Sequence, residues 1–499
     1  MNFSLPPVFL SRMAALLGDE YPAFLTSYDA PASVGLRVNT LKIGVEAFRE
    51  LAPFELSPIP WCPAGFEVKT SPPAPLLPGE GCKSPPSLTG RGVGGAGESA
   101  GRGAGGIGPG KHPYHAAGLY YLQDPSAMAV AELLAPQPGE RVLDLAAAPG
   151  GKATHIASLM QGQGLLVANE IHPQRAWELA GNLERWGATN AAVTNETPER
   201  LAERFPGFFD RVLVDAPCSG EGMMRRGEAA RREWAPELVR GCALRQAVIL
   251  DHAARLVRPG GRLVYATCTF NLEENEGTVV RFLADHPDFA LVEPPRYPGF
   301  APGACRDVAC NVSTTPCTVS AYVVRLWPHR APGEGHFIAV LERAADAPAG
   351  LLIRPWRPAA LPRQAEAAYR AFCAAHLSAS PAVERLALVG SYLYALPAGL
   401  PDLTGLRYLH PGWWLGTVKR DRFEPSHALA LALRPQGARR ALDLSADAAE
   451  LAAYLRGETL ASPGEDGWTL VAVDGFSLGW GKRAAGRLKS HYPKGLRWT

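Results

Sequence analysis

The chain of 499 residues has no stretch approaching the roughly 18 uninterrupted apolar residues of a membrane helix, which excludes a helical membrane protein. Its start, Met1-Asn-Phe-Ser-Leu-Pro6-Pro7, lacks both a basic region and a long apolar one, so no signal peptide is expected. Charge of one sign is lacking as well. The 50 Lys and Arg residues nearly balance the 48 Asp and Glu residues, leaving a formal +2. Any nucleic-acid surface must therefore be local. Tightly paired cysteines are also missing. The nine cysteines are an odd number scattered over a long chain, and without an export signal they read as reduced thiols in a cytoplasmic protein. Cys305, Cys310 and Cys317 form a local cluster, but a fourth ligand and tighter pairing are wanting, so no metal is expected.

What is present is a long soluble chain with 47% hydrophobic residues and 20% charged ones, enough for two or three domains. Phe9, Leu10, Met13, Leu16 and Leu17 have helical spacing, and Val34–Leu41 reads as a strand. Together they predict a small N-terminal α/β subdomain over 1–70. Residues 71–113 change to Pro, Gly and Ser, a composition that predicts a disordered insertion with solvating charges at Lys83, Arg91, Arg102 and Lys111. From 114 to 345, strand-like runs at 141–146, 164–169, 190–194, 210–215 and 261–266 alternate with helical patterns. Ala176, Leu179, Ala180, Leu183 and Trp186 fall on one helical face, and 236–257 is a second long helix. This alternation predicts an α/β fold, a parallel sheet covered by helices on both sides. Residues 346–384 read as a linker, and 385–499 as a β-rich domain.

Three junctions lie at strand ends, where such sheets bind ligands. The first is Asp144-Leu-Ala146-Ala147-Ala148-Pro149-Gly150-Gly151-Lys152, entering a helix at Ala153–Met160. Small residues admit a ligand close to the backbone, and the helix start supplies free N–H donors. The Walker spacing is absent, so this is not a phosphate loop. Glu170 ends the next strand, where a carboxylate can accept both hydroxyl hydrogens of a ribose. A nucleoside-type cofactor is the expectation, over a bare tight turn.

The other two junctions each end in a cysteine, Asp215-Ala-Pro217-Cys218 and Thr267-Cys268-Thr269. Asn271-Leu-Glu-Glu274 has capping-box spacing and predicts a helix start beside Cys268, whose dipole would favour a thiolate. A single such cysteine is more often core than catalyst, as expected for Cys242 and Cys373. Two at equivalent strand ends, with Asp215 beside one, favour catalysis.

These motifs resemble the S-adenosylmethionine-dependent RNA 5-methylcytosine methyltransferases of the NOP2/Sun type, and within them the bacterial RsmF branch that modifies small-subunit ribosomal RNA. Leu119-Tyr-Tyr-Leu-Gln123-Asp124-Pro-Ser126, Arg325–Phe337, Asp474–Lys482 and Tyr492–Arg497 support the branch. The resemblance covers all but 71–113 and roughly 303–320. It implies a Rossmann-like methyltransferase sheet with S-adenosylmethionine held by Ala146 to Lys152, Glu170 and Asp215. Cys268 would attack C6 of cytosine, Asp215 would hold the base edge and help protonate the ring, and Lys152 would orient the base or Asp215. Cys218 would assist proton loss and release of Cys268. The base must leave its stack to react. Where the family often has an acidic adenine contact this chain reads Asn195, and Arg175 matches a frequent family position; both are expected near the cofactor.

The tail from Gly475 to Thr499 carries Lys482, Arg483, Arg487, Lys489, Lys494 and Arg497 and no acidic residue, with aromatic residues between. It resembles a PUA-like RNA-binding module, whose cations neutralise phosphates while exposed rings stack on bases. Trp480 and Trp498 also suit a core. A monomer acting on ribosomal RNA is the leading expectation. A tRNA methyltransferase and a non-catalytic assembly factor are the rivals, the latter disfavoured by the intact Cys268, Cys218, Asp215 and Lys152. A thiol hydrolase would not explain the cofactor loop.

Overall fold

The computed structural model describes residues 5–498 apart from 32, 70–107, 305–315, 349, 351–352, 382, 384 and 421. Most of the 71–113 insertion, with Lys83, Arg91 and Arg102, and Cys305 and Cys310 lie outside the described residues, as does the side chain of Cys317.

Five parallel strands form the centre of the molecule: Val257–Thr267, Phe209–Asp215, Arg141–Asp144, Leu165–Asn169 and Ala191–Thr194, in that spatial order. All residues of Leu165–Asn169 and of Ala191–Thr194 are buried, as strands covered on both faces require. The helix Pro173–Trp186 explains one cover. Proline sits in its first turn, Gly187 closes it at φ 79°, and Ala176, Leu179, Ala180, Leu183 and Trp186 are its buried face. Leu179→Ala would open a cavity there at a cost of about 2–5 kcal/mol.

The strand order reverses between Arg141–Asp144 and Phe209–Asp215, and a ligand crevice is expected at that reversal. The antiparallel strands His336–Arg343, Val323–Leu326 and Phe300–Ala301 extend the sheet on the far side of Val257–Thr267.

The N-terminal sheet runs Glu55–Ile59, Cys62–Lys69, Gly35–Val38, Tyr120–Leu122. Its last strand comes from beyond residue 113, so the subdomain draws on more than 1–70, and the insertion joins two strands of a single sheet. Leu36, Val38 and Tyr120 share a core with Leu451, Tyr454 and Val471 of the C-terminal region, which ties the two ends of the chain together.

The linker and single-domain reading of 346–499 needs correction. Arg363–His376 is a helix whose Tyr369, Phe372 and Cys373 are buried with Leu393, Leu415 and Phe423. It belongs to a first C-terminal unit with the sheet Leu386–Val389, Tyr392–Ala395, Trp413–Lys419 and Arg422–Pro425. That unit also adds Tyr408–His410 to the edge of the central sheet, against Ala191–Thr194. A second, five-stranded sheet spans Ala441–Ser490. Among the described residues no helix is long and apolar enough to cross a membrane.

Candidate active site

The cofactor loop is shaped by what holds its carbonyls. Ala148 O accepts from Arg175 NH2 at 2.7 Å, Pro149 O from Asn182 Nδ2 at 2.7 Å, and Gly151 O from Arg37 NH2 at 3.0 Å. With these oxygens drawn back into the protein, the N–H groups at the start of the helix Gly151–Leu159 are left for a ligand. Gly150 has φ +115°, and an added Cβ would lie 3.3 Å from Asn182 and Leu179, so the turn needs glycine.

Arg37 and Asn182 carry no motif that marks them in the sequence. Arg37 is buried in the N-terminal sheet; it also donates to Gln123 Oε1 at 2.9 Å and Thr154 Oγ1 at 2.7 Å, with its guanidinium 4.6 Å from the Trp186 ring. Burial lowers its pKa to about 10, which leaves it charged.

Four ionisable side chains meet at the switch point. Lys152 Nζ lies 2.6 Å from Asp215 Oδ2. Burial alone would lower the lysine pKa, but the charge and hydrogen bond of Asp215 outweigh it and the net shift is upward. Asp144 is fully buried and neither of its oxygens has a well-formed hydrogen bond. Burial, then the Asp215 charge, push it up to about 8 against the pull of Lys152. Glu170 is buried, accepts from His172 N at 2.9 Å and pairs with Arg175 at 3.4 Å.

This donor set fits S-adenosylmethionine. The orphaned Asp144 oxygens suit its ammonium, Glu170 suits the ribose hydroxyls and the loop N–H groups suit its carboxylate. Arg175 braces the loop and Glu170. Asn195 Nδ2 donates to Glu170 O at 2.6 Å and Ile171 O at 3.0 Å, so it fixes the turn after the strand.

The sulfurs of Cys218 and Cys268 lie 3.3 Å apart, each half-buried. The Cys218 thiol is pushed well up by its hydrogen bond with Cys268, by burial, and by the charges of Cys268 and Glu274. Asn271 and Glu274 do bond to each other, Glu274 N to Asn271 Oδ1 at 2.8 Å. The helix, however, begins at Glu276, so the expected dipole does not act on Cys268 from an adjacent helix start. The box closes a turn instead, because Asn271 N is already held by Glu221 Oε2 at 2.9 Å.

The C-terminal cations separate into two kinds. Lys482, Arg487, Lys489 and Lys494 are exposed, with Lys482 and Lys489 directly opposed across two strands. Arg483 is buried and donates to Ser462 Oγ at 3.0 and 3.2 Å, which corrects its expected place on an RNA surface. Arg497 is half-buried, its Nε 3.4 Å from Tyr492 O. The interleaved rings of Trp480 and Tyr492 are core, so they do not stack on bases.

Away from the site, Cys62, Glu132 and His155 bring one ligand atom each within 4.8 Å. Against burial, the His155 hydrogen bond is the main pull that lowers the Glu132 carboxyl, with Arg37 adding a smaller one, so protein groups already satisfy that carboxylate.

With this geometry in place, comparison with known proteins identifies the lineage. The 16S rRNA methyltransferase RsmB/F family matches residues 131–342. The RsmF N-terminal domain matches 5–78, the RsmF first C-terminal domain 371–433, and the RsmF PUA domain 441–498. Ribosomal RNA small subunit methyltransferase F of Erwinia tasmaniensis is 31% identical over 98% of this chain and 96% of its own length. The Klebsiella pneumoniae protein of the same name is 32% identical over the same shares. The chain belongs to the RsmB/F family. S-adenosylmethionine is accordingly its cofactor. Among solved structures, a methyltransferase homologue from Pyrococcus horikoshii is 26% identical, with a TM-score of 0.51 over 68% of this chain and 96% of that one. NSun6 from Pyrococcus horikoshii with SFG, 23% identical, has a TM-score of 0.53 over 68% of this chain and 99% of that one and shows the shared fold. The two RsmF C-terminal matches fall on the two sheets, in keeping with the division of 346–499 seen in the fold.

Proposed function

We propose that this member of the RsmB/F family methylates C5 of cytosine in small-subunit ribosomal RNA through a covalent adduct between Cys268 and C6. The observation that carries the reading is the sulfur pair, 3.3 Å apart, at strand ends neighbouring the Lys152–Asp215 pair.

S-adenosylmethionine supplies the electrophilic methyl group when bound. Lys152, held 2.6 Å from Asp215, keeps that carboxylate in place against the edge of a flipped cytosine. Cys268, as thiolate, adds to C6, and the proton shared along the Lys152–Asp215 hydrogen bond passes to N3, making C5 nucleophilic. C5 then takes the methyl group. Before addition, Cys218 donates to the Cys268 sulfur and its proton is held firmly. Once that sulfur is bonded to carbon it no longer accepts the Cys218 hydrogen bond as an anion, the largest upward push on Cys218 is relieved, and Cys218 releases its proton to solvent and becomes the thiolate base. It removes the C5 proton, the C6–S bond breaks, Cys268 leaves as thiolate and N3 returns its proton to Asp215.

Arg175 and Asn195 act as supports of the cofactor pocket, Glu170 as the ribose acceptor. Lys482, Arg487, Lys489 and Lys494 supply phosphate contacts from the PUA unit, with Arg497 at its margin. The protein works as a cytoplasmic monomer on ribosomal RNA. The test is incubation with radiolabelled S-adenosylmethionine and small-subunit rRNA, followed by nuclease digestion. Label in 5-methylcytidine supports the reading, and label only in other nucleosides or none removes it.

A further inference from the structure

Two fully buried carboxylates lie beside the sulfurs, and the chemistry above uses neither. Glu221 follows Cys218 by three residues, yet its Oε2 accepts from Thr269 Oγ1 at 2.7 Å, Phe270 N at 2.7 Å and Asn271 N at 2.9 Å, all in the segment after Cys268. Its Oε1 accepts from Trp234 Nε1 at 3.1 Å. Glu274 belongs to the Cys268 segment and reaches the other way. Its Oε2 accepts from Ser219 N, the residue after Cys218, at 3.0 Å, and from Gln246 Nε2 at 2.7 Å, while Oε1 accepts from Asn271 Nδ2 at 2.7 Å. Gly222 N donates to Cys268 O at 3.0 Å, and Ser219 Oγ lies 2.8 Å from Thr269 Oγ1.

We propose that Glu221 and Glu274 are a reciprocal pair of positioning residues, each carried by the segment of one cysteine and gripping the segment of the other, so that the two sulfurs are held at reacting distance. The chemistry needs such a device. Cys218 and Cys268 end different strands and are 50 residues apart in sequence, and neighbouring strand ends alone do not fix two loop side chains to within an ångström. A buried carboxylate accepting three or more hydrogen bonds is a stiff joint, because moving either loop strands several donors without water. Each carboxylate is the better acceptor for a cluster of N–H donors than an amide would be, since an amide presents donors of its own on one side. The inference rests on the adduct reading for its catalytic consequence but not for the sulfur geometry itself.

The test uses the full-length protein with Glu221→Gln and Glu274→Gln. The geometric readout is the rate at which diamide oxidises Cys218 and Cys268 to a disulfide, both electrons and both protons passing to the diazene. That rate should fall roughly tenfold in each variant, and kcat should fall by about 10- to 100-fold, because small misplacements of reacting groups cost that much. KM for rRNA and the affinity for S-adenosylmethionine should stay within about twofold, since the cofactor loop is held by other residues. Wild-type rates of disulfide formation in both variants would overturn the proposal. So would equal losses of cofactor affinity and kcat, the mark of general collapse. Should the Gln variants not fold, Thr269→Val removes one donor to Glu221 without altering a charge. A slowed disulfide rate there supports the brace and an unchanged one overturns it. A wild-type protein that forms the disulfide rapidly but transfers no methyl group would sink the functional reading and leave the brace standing.

Discussion

The Cys218 and Cys268 sulfurs lie 3.3 Å apart, close enough for one thiol to donate to the other. The hydrogen bond with Cys268, then burial, push the Cys218 thiol well up, so Cys218 is the sulfur that holds its proton firmly. Cys268→Ala should therefore abolish both methyl transfer and adduct formation. Cys218→Ala should allow attack and block release, leaving a protein–RNA band on a denaturing gel. An adduct trapped by the Cys268 variant instead would reverse the assignment.

Lys152 and Asp215 act as one unit through their 2.6 Å contact. Asp215→Asn and Lys152→Met should each lower single-turnover transfer by about 10²- to 10⁴-fold, the usual range for positioned acid–base groups. The double variant should be little worse than the poorer single one, because the interaction is lost once. Multiplying losses would show that the two side chains work independently.

Arg37 links the N-terminal sheet to the cofactor loop through Gly151 O and Thr154 Oγ1. Arg37→Met should cost about 3 kcal/mol of stability, typical for removing one partner of a buried charged network. Affinity for S-adenosylmethionine should weaken by about tenfold as the loop loses its anchor. Urea unfolding and calorimetric titration check the two effects separately, and an unchanged affinity would confine Arg37 to folding.

Burial lowers the His427 pKa from 6.5 to about 3, and burial with the Arg37 charge lowers His155 from 6.5 to about 4, against the pull of Glu132. Both are neutral in the fold, whereas the unfolded chain takes up protons below about pH 6.5. Their contribution is complete above that pH and is lost as the pH falls toward the folded values, roughly 3 kcal/mol per histidine by pH 4. Asp144, pushed up to about 8, acts in the opposite sense between its unfolded pKa and pH 8. The readout is therefore the difference between wild type and His427→Gln, which should be constant above pH 6.5 and shrink below it. A constant difference down to pH 4 would mean that His427 is not held neutral.

The central domain was legible because its signals are local. The apolar face of Pro173–Trp186 and the glycine turn before Lys152 are set by residues adjacent in sequence, and both cysteine junctions announced themselves at strand ends. What the sequence hid depends on distant partners. Tyr120–Leu122 is a three-residue strand that exists because Gly35–Val38 offers it an edge, and Tyr408–His410 is likewise completed by Ala191–Thr194. The helix Arg363–His376 looked like a linker because alanine and arginine dilute its apolar face, leaving Tyr369, Phe372 and Cys373 to carry the packing. Arg483 was indistinguishable from its exposed neighbours, since alternation along a strand decides burial and nothing local marks which phase faces Ser462. The capping-box spacing at Asn271 does produce a hydrogen-bonded pair, yet the helix begins only at Glu276, because Glu221 takes the Asn271 amide.

The most direct test of the account is bisulfite sequencing of small-subunit rRNA from cells lacking this protein, complemented with wild type or with Cys268→Ala. At least one cytosine protected by wild type should become convertible in the deletion strain and remain so with Cys268→Ala. An identical set of protected cytosines in all three strains would contradict the account.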